Sequence, residues 1–209
     1  MTNSLKAARA AESKPSRNAT AEAFLDAAER LLVAVGQAGI TTRRLAAEAA
    51  ANQGLVHYYF GSLDELFVQV LERFTDRLIA RQREMYAGDV PFIEKWRTAW
   101  GFQEDDLEVG YSKIWMELQA VSWNRPDLLP RIARVNEEWR GVLREAFTDA
   151  AREYGLDESE FPVDALVSLM MTFGQGFALE RLEGIAEGHA QLLGWIERWL
   201  QSLEERKTA

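Results

Sequence analysis

The chain of 209 residues has no cysteine and only two histidines, His57 and His189. Disulfide scaffolds, thiolate zinc sites and cysteine nucleophiles are therefore excluded, and a histidine-based metal site has almost no ligands to draw on. Proline is scarce, at five residues, so few positions force a helix to stop. No apolar run approaches the ~18 residues that suggest a membrane span; Leu31 to Val35 is typical of the longest. The first twenty residues, rich in Ala, Lys, Arg and Ser, hold no hydrophobic stretch of the signal-peptide kind. There is no glycine-rich phosphate loop opening from a strand, no His/Glu metal spacing and no persuasive nucleophile–base set. These absences predict a cytoplasmic chain with no membrane partner, no metal, no cofactor, no catalytic residues and no enzymatic activity.

What is present is an ordinary globular balance, 47% hydrophobic and 27% charged. The net charge of -9 is unevenly spread, at +2 over residues 1–60 and -11 over the remainder. A mildly basic head on an acidic body suggests two jobs, with only the head suited to a polyanion.

Apolar residues recur at helical period along the whole chain, and no segment alternates at period 2, so the predicted class is all-α with about nine helices. Phe24, Ala28, Leu31, Leu32 and Val35 share one face of a first helix from about Ala19, ended by Gly36 and Gly39. Thr41 and Thr42 supply a hydroxyl N-cap for a short helix that turns Leu45, Ala46 and Ala49 inward. A break at Ala50, Ala51 and Asn52 precedes a second short helix, roughly Gln53 to Tyr59. Ser62 with Glu65 three residues later fits a capping box. It opens a long helix carrying Leu66, Phe67, Val70, Leu71, Phe74 and Leu78 as far as Tyr86. Further helices are predicted at 92–102, 105–123, 127–154, 162–186 and 189–205. Glu104, Asp105, Asp106 and Glu108 then read as a solvated helix start, where negative charge is favoured.

Residues 42–60 carry the chemistry. Two short helices across a three-residue break have helix-turn-helix spacing, with Leu45, Ala51, Val56 and Phe60 as shared core and Ala46 small at the crossing. Such a unit places the N-terminal residues of its second helix in the major groove. Gln53 suits adenine, Leu55 a thymine methyl, and Arg43 guanine or phosphate. Thr42, Arg44, His57, Tyr58 and Tyr59 offer donors to phosphate oxygens, and Asn52 and Gly54 open the reading helix. The competing reading is a helical interaction or small-molecule-binding protein that binds no specific DNA. Such a protein has no need of Gln53, Tyr58 and Tyr59 beside Arg43 and Arg44.

Residues 20–66 resemble the DNA-binding region of the tetracycline-repressor (TetR) family of bacterial transcription regulators. The resemblance rests on Thr42, on Leu45-Ala46, on Val56-His57-Tyr58-Tyr59-Phe60, and on Ser62 and Leu66 after them. Ala50 stands where the family usually has a turn glycine, His57 replaces its first tyrosine, and Leu63 replaces a frequent phosphate-binding lysine. Residues 1–18 (Lys6, Arg9, Lys14, Arg17) read as a flexible basic N-terminal arm, suited to the minor groove or simply a disordered tail; the resemblance implies a DNA-binding domain over 19–62 and an effector-binding and dimerisation domain over 63–209. It implies a ligand-responsive regulator, a repressor, that binds double-stranded pseudo-palindromic operator DNA as a homodimer.

All seven tryptophans follow residue 95. The resemblance points to an apolar effector cavity, for an unidentified small molecule, lined by Trp96, Trp100, Tyr111, Trp115, Met116, Trp139, Phe173 and Phe177, with Trp123 nearby. Glu117 and Glu180 are candidate partners for a cationic ligand or plain surface carboxylates. The apolar stripes Leu166, Met170 and Leu192, Trp195, Trp199, Leu203 on the last two helices are the expected dimer face. Gly174-Gln175-Gly176 reads as a place of close helix approach.

Overall fold

The computed structural model describes residues 17–159 and 161–208 of the chain. Lys6, Arg9 and Lys14 of the expected arm lie outside them, as does the side chain of Arg17, although Arg17 and Asn18 already belong to the first helix. The described residues hold no strand. They form α1 (Arg17–Val35), a 3-10 turn (Gln37–Gly39), α2 (Thr42–Glu48), α3 (Gly54–Phe60), α4 (Leu63–Tyr86), α5 (Phe92–Glu108), α6 (Tyr111–Trp123), α7 (Leu129–Tyr154), α8 (Val163–Leu182) and α9 (His189–Thr208). Two compact units result, one up to Leu66 and one from Phe67 onward. No helix among the described residues is long and apolar enough to cross a membrane.

In the first unit, α1 buries Phe24, Ala27, Ala28 and Leu32 completely, and Leu45, Ala46, Val56 and Phe60 of α2 and α3 complete the core. The Phe24 ring meets Phe60 edge-on at 6.1 Å and Tyr59 at 6.4 Å. Thr41 is in an extended conformation, and its hydroxyl accepts the Arg44 N–H at 3.2 Å, which starts α2. The end of α2 is a Schellman motif: Ala51 N–H reaches the Ala46 carbonyl at 3.0 Å and Ala50 N–H the Ala47 carbonyl at 3.2 Å. That motif needs a left-handed residue between helix and turn, and Ala50 fills the place with φ of 50°. Gly61 (φ 72°) ends α3 in the conformation that suits glycine. Ser62 Oγ then accepts the Glu65 N–H at 3.1 Å, while the Ser62 N–H goes to the Phe60 carbonyl. The Ser62 half of the expected capping box thus forms.

In the second unit α7 packs along α8, and α5 contacts α6, α8 and α9. One core cluster joins Phe92, Ile93 and Trp96 of α5 to Phe147 and Ala150 of α7, Val167 of α8, and Leu200 and Leu203 of α9. Tyr154 ties three of these helices together: its hydroxyl accepts the Ile93 N–H at 3.2 Å and donates to Glu204 at 2.9 Å. Burial, aided by Glu204, drives the Tyr154 phenol far above its ordinary value.

Two expected boundaries move. α5 runs on to Glu108, and the break falls at Gly110, whose φ of 84° ends one helix and opens the next. The acidic cluster is therefore a helix end, where carboxylates oppose the macrodipole. Arginines from other helices compensate: Arg181 grips Glu104 with bonds of 2.9 and 3.0 Å, and Arg81 holds Asp106 at 2.6 Å. α8 stops at Leu182 because Gly184 (φ 82°) closes it with a second Schellman pair, Ile185 N–H to the Glu180 carbonyl at 2.8 Å.

Candidate functional site

On the first unit, α2 and α3 form the helix-turn-helix pair. Asn52 Oδ1 accepts the Gly54 N–H at 2.8 Å and so fixes where α3 begins. A side chain on residue 54 is disfavoured there, since its Cβ would lie 3.3 Å from that oxygen. Gln53 and Gly54 lie exposed at the opening of α3. Arg43, Arg44, His57 and Tyr58 are exposed as well, Tyr58 at 59%. Arg44 Nη1 lies 3.4 Å from the Gly39 carbonyl, and Arg30 pairs with Glu48 at 2.8 Å along the flank.

The structure separates the ten candidate contacts by environment. Arg43, Arg44, Gln53, Gly54, His57 and Tyr58 are exposed. Thr42, Leu55 and Tyr59 are half-buried. The Tyr59 ring packs against Phe24, Phe60 and Tyr58, so much of it serves the core. Asn52 is exposed but acts as the cap of α3.

In the second unit, α4 to α8 line a partly open cavity of about 180 Å³. Trp96, Trp100, Tyr111, Trp115, Met116 and Trp139 line it, joined by Phe74, Leu78, Leu143, Phe147, Met170 and Met171. Phe173 and Phe177, expected beside them, instead stand behind the wall. Phe177 is fully buried, with its ring 4.9 Å from that of Trp100 and 6.0 Å from that of Phe173. Trp123, at 75% exposure, lies on the surface.

The polar lining was not anticipated from sequence. Gln82, Gln103, Asp106, Ser112, Gln175 and Tyr86 all reach the cavity. One signal was available: Phe74, Leu78, Gln82 and Tyr86 are spaced by four along α4, so a glutamine interrupts an otherwise apolar stripe. Burial pushes the Tyr86 phenol up to about 12, so the group is neutral at ordinary pH. Burial likewise raises the Asp106 carboxyl, against the opposing pull of its Arg81 partner. Arg81 itself lies over the Phe102 ring at 4.2 Å.

Three other expectations resolve as follows. Glu180 contacts His189, with Oε2 2.6 Å from Nε2, and the His189 ring lies 4.5 Å from Phe177. Glu117 pairs with Lys113 at 3.7 Å. Gly174 and Gly176 have open space where a Cβ would stand, and Gly174 borders the cavity.

The expected dimer stripe also divides. Leu203 is buried in the unit's own core, and Leu166, Met170 and Trp199 pack against that core. Only Leu192 and Trp195 are exposed, Trp195 at 62%. With them the structure exposes Leu169 (63%), Leu179, Leu182 and Ile185, all apolar and all unmarked in the sequence reading. α8 is apolar almost all round, so its sequence does not say which face turns inward. Among the described residues, no group of three or more acidic or histidine side chains is placed to hold a metal.

A helix-turn-helix with an exposed polar edge, in a chain whose second unit holds an aromatic cavity, is an arrangement suited to helical DNA-binding regulators. Residues 24–70 match the sequence profile of the bacterial regulatory proteins of the tetR family. Over those residues the chain is similar to the DNA-binding region of that family. It is 29% identical over 108 residues to the HTH-type transcriptional regulator BetI 1 of Chromohalobacter salexigens, an alignment covering 50% of this chain and 53% of that protein. The chain thus spans about half the length of that relative. It is 27% identical over 172 residues to an uncharacterized HTH-type transcriptional regulator from the dhlA 5' region of Xanthobacter autotrophicus, covering 78% of this chain and 80% of the other. In fold it is similar to reduced NemR of E. coli, with a TM-score of 0.67 and 19% identity, covering 86% of this chain and 96% of that one. These relatives are regulators rather than enzymes.

Proposed function

We propose that the protein is a repressor that binds a pseudo-palindromic operator as a homodimer and leaves it when a small effector enters the cavity. The observation that carries this reading is the exposed set on α2 and at the start of α3, where Arg43, Gln53, His57 and Tyr58 stand around a helix start marked by the Asn52–Gly54 bond. Gln53 offers a bidentate pair to adenine, and the cations and the phenol offer donors to phosphate. Twofold symmetry sets two such helices about one DNA turn, ~34 Å, apart on the operator. The exposed apolar residues of α8 and α9, from Leu169 to Trp195, supply a face for the second copy.

The effector half of the proposal rests on α4. This helix starts in the first unit at Leu63, and further along Phe74, Leu78, Gln82 and Tyr86 line the cavity. An effector that prefers one arrangement of the cavity wall therefore acts on the helix that leads to the DNA-binding unit. Coupling of about 1–3 kcal/mol changes operator affinity roughly 5–150-fold.

The test is a mobility shift on the DNA flanking the protein's own gene, against a scrambled duplex of equal length. A specific shift is expected, and Gln53→Ala with Tyr58→Ala should weaken it by roughly 10-fold or more, one bidentate base contact alone being worth ~1–3 kcal/mol. If the folded, dimeric protein shows no preference over scrambled DNA at low salt, a random-library selection decides. Failure to enrich any site overturns the reading.

A further inference from the structure

The chemistry of the cavity wall restricts what can enter it. No lysine, arginine or histidine lines it, while the Asp106 carboxyl does. Arg81 holds one Asp106 oxygen at 2.6 Å but is not itself part of the lining. Gln82 Oε1 is buried without a hydrogen-bond partner among the described residues. An orphaned acceptor of this kind costs about 1–3 kcal/mol, which a ligand N–H recovers once the terminal amide presents its oxygen to the cavity. Four indoles, of Trp96, Trp100, Trp115 and Trp139, supply the aromatic surface. Indole faces attract cations and repel anions, most strongly where water is excluded.

We propose that the cavity selects a small organic cation with N–H donors, a protonated amine on a compact aromatic or aliphatic body, and discriminates against carboxylates and phosphates. The ammonium would sit between Gln82 and Asp106 and the hydrocarbon against the tryptophans. This rests on the reading of the cavity as the effector site and adds the chemical class of the effector. An anion entering the same space meets the negative faces of the indoles and a carboxylate already paired with Arg81, and among the lining residues it finds no cation. Size suits a compact body, because about 180 Å³ lies below the ~300–1,000 Å³ typical of sites for drug-sized ligands. Burial raises the Asp106 carboxyl, and an incoming cation favours its ionised form, which makes the pairing mutually stabilising.

Three probes of matched shape separate the possibilities: 2-phenylethylammonium, 2-phenylethanol and 3-phenylpropanoate. Each is titrated into the full chain with tryptophan fluorescence as the readout, and each is then added to the protein–operator complex. The ammonium is expected to bind saturably and roughly 10-fold or more tighter than the alcohol, with no saturable binding of the carboxylate, as a charge-assisted hydrogen bond implies. Gln82→Leu should weaken the ammonium by a similar factor while leaving the alcohol unchanged or tighter. Because this variant replaces an unpaired polar group with an apolar one of like size, it should fold at least as well as the natural protein; Asp106→Asn is the second variant and should also weaken the ammonium. Equal or tighter binding of the carboxylate or the alcohol, or no saturable binding of any probe, overturns the cation assignment. Selective ammonium binding that leaves the operator complex intact upholds it and overturns the effector reading instead.

Discussion

Ala50 is the one non-glycine residue with positive φ among those described, and it stands at the turn of the helix-turn-helix. The neighbouring bonds explain why it is held there. Both Schellman hydrogen bonds, from Ala50 to Ala47 and from Ala51 to Ala46, require the left-handed conformation. At the equivalent places after α7 and α8 the chain uses Gly155 and Gly184, which adopt it without a Cβ penalty. An alanine there is strained by about 1–2 kcal/mol, of which a glycine would recover all but its greater unfolded-state entropy. Ala50→Gly should therefore stabilise the protein by roughly 0.5–1 kcal/mol and raise its Tm by about 1–4 °C. Operator affinity should stay unchanged, because the backbone path is already that of a glycine. A lower Tm in circular-dichroism melts would show that the Ala50 methyl makes a compensating contact.

At the scale of elements, the end of α5 holds an unusual concentration of acid. Glu104 and Asp106 sit in its last turns, against the macrodipole, and are held by Arg181 from α8 and Arg81 from α4. The Glu104–Arg181 pair is half-exposed, so the pair itself is worth no more than ~1 kcal/mol. The two single substitutions should nevertheless differ. Arg181→Met leaves Glu104 opposing the helix end uncompensated and should cost about 1 kcal/mol, whereas Glu104→Gln removes the repulsion with the attraction and should cost less than ~0.5 kcal/mol. Urea unfolding of both variants checks the order, and equal costs would show that the dipole plays no part. This pair also shows what the sequence does not reveal. Helix class, Thr41 and Ser62 are legible because each is decided by residues within one turn of itself. The run Glu104-Asp105-Asp106 looks like a helix start for the same local reason, and only the distant Arg81 and Arg181 allow it to be a helix end. The cavity divides on the same lines. Six of the eight residues expected to line it do so, because aromatic stripes mark inward faces. Phe173 and Phe177 lie one layer behind, and Gln82 and Asp106 were passed over, since depth within a bundle depends on neighbours far along the chain.

For the whole molecule, the unresolved choice in the sequence was which apolar face of α8 and α9 turns outward. Leu203, Met170, Leu166 and Trp199 are engaged in the unit's own packing, which leaves Leu169, Leu179, Leu192 and Trp195 as the surface available to a second copy. Isolated exposed apolar residues are ordinary on a protein surface, but several large ones on two successive helices mark an association face. The proposed dimer therefore makes opposite demands on the two sets. Leu169→Glu with Trp195→Glu should leave the helical circular dichroism and the unfolding midpoint of the isolated chain nearly unchanged, and should convert the protein to monomers in light scattering. Met170→Glu should instead disrupt folding, because it places a charge in the cavity wall. A monomer brings only one reading helix to the operator and loses the avidity of a second linked contact, which is worth ~10²–10⁴-fold in affinity. Specific binding by the double variant should fall within that range, with its weak non-specific affinity for DNA retained, since Arg43 and Arg44 are untouched. If Leu169→Glu with Trp195→Glu remains dimeric and binds the operator as the natural protein does, the twofold contact lies elsewhere on the body, and the exposed stripe on α8 and α9 needs another partner.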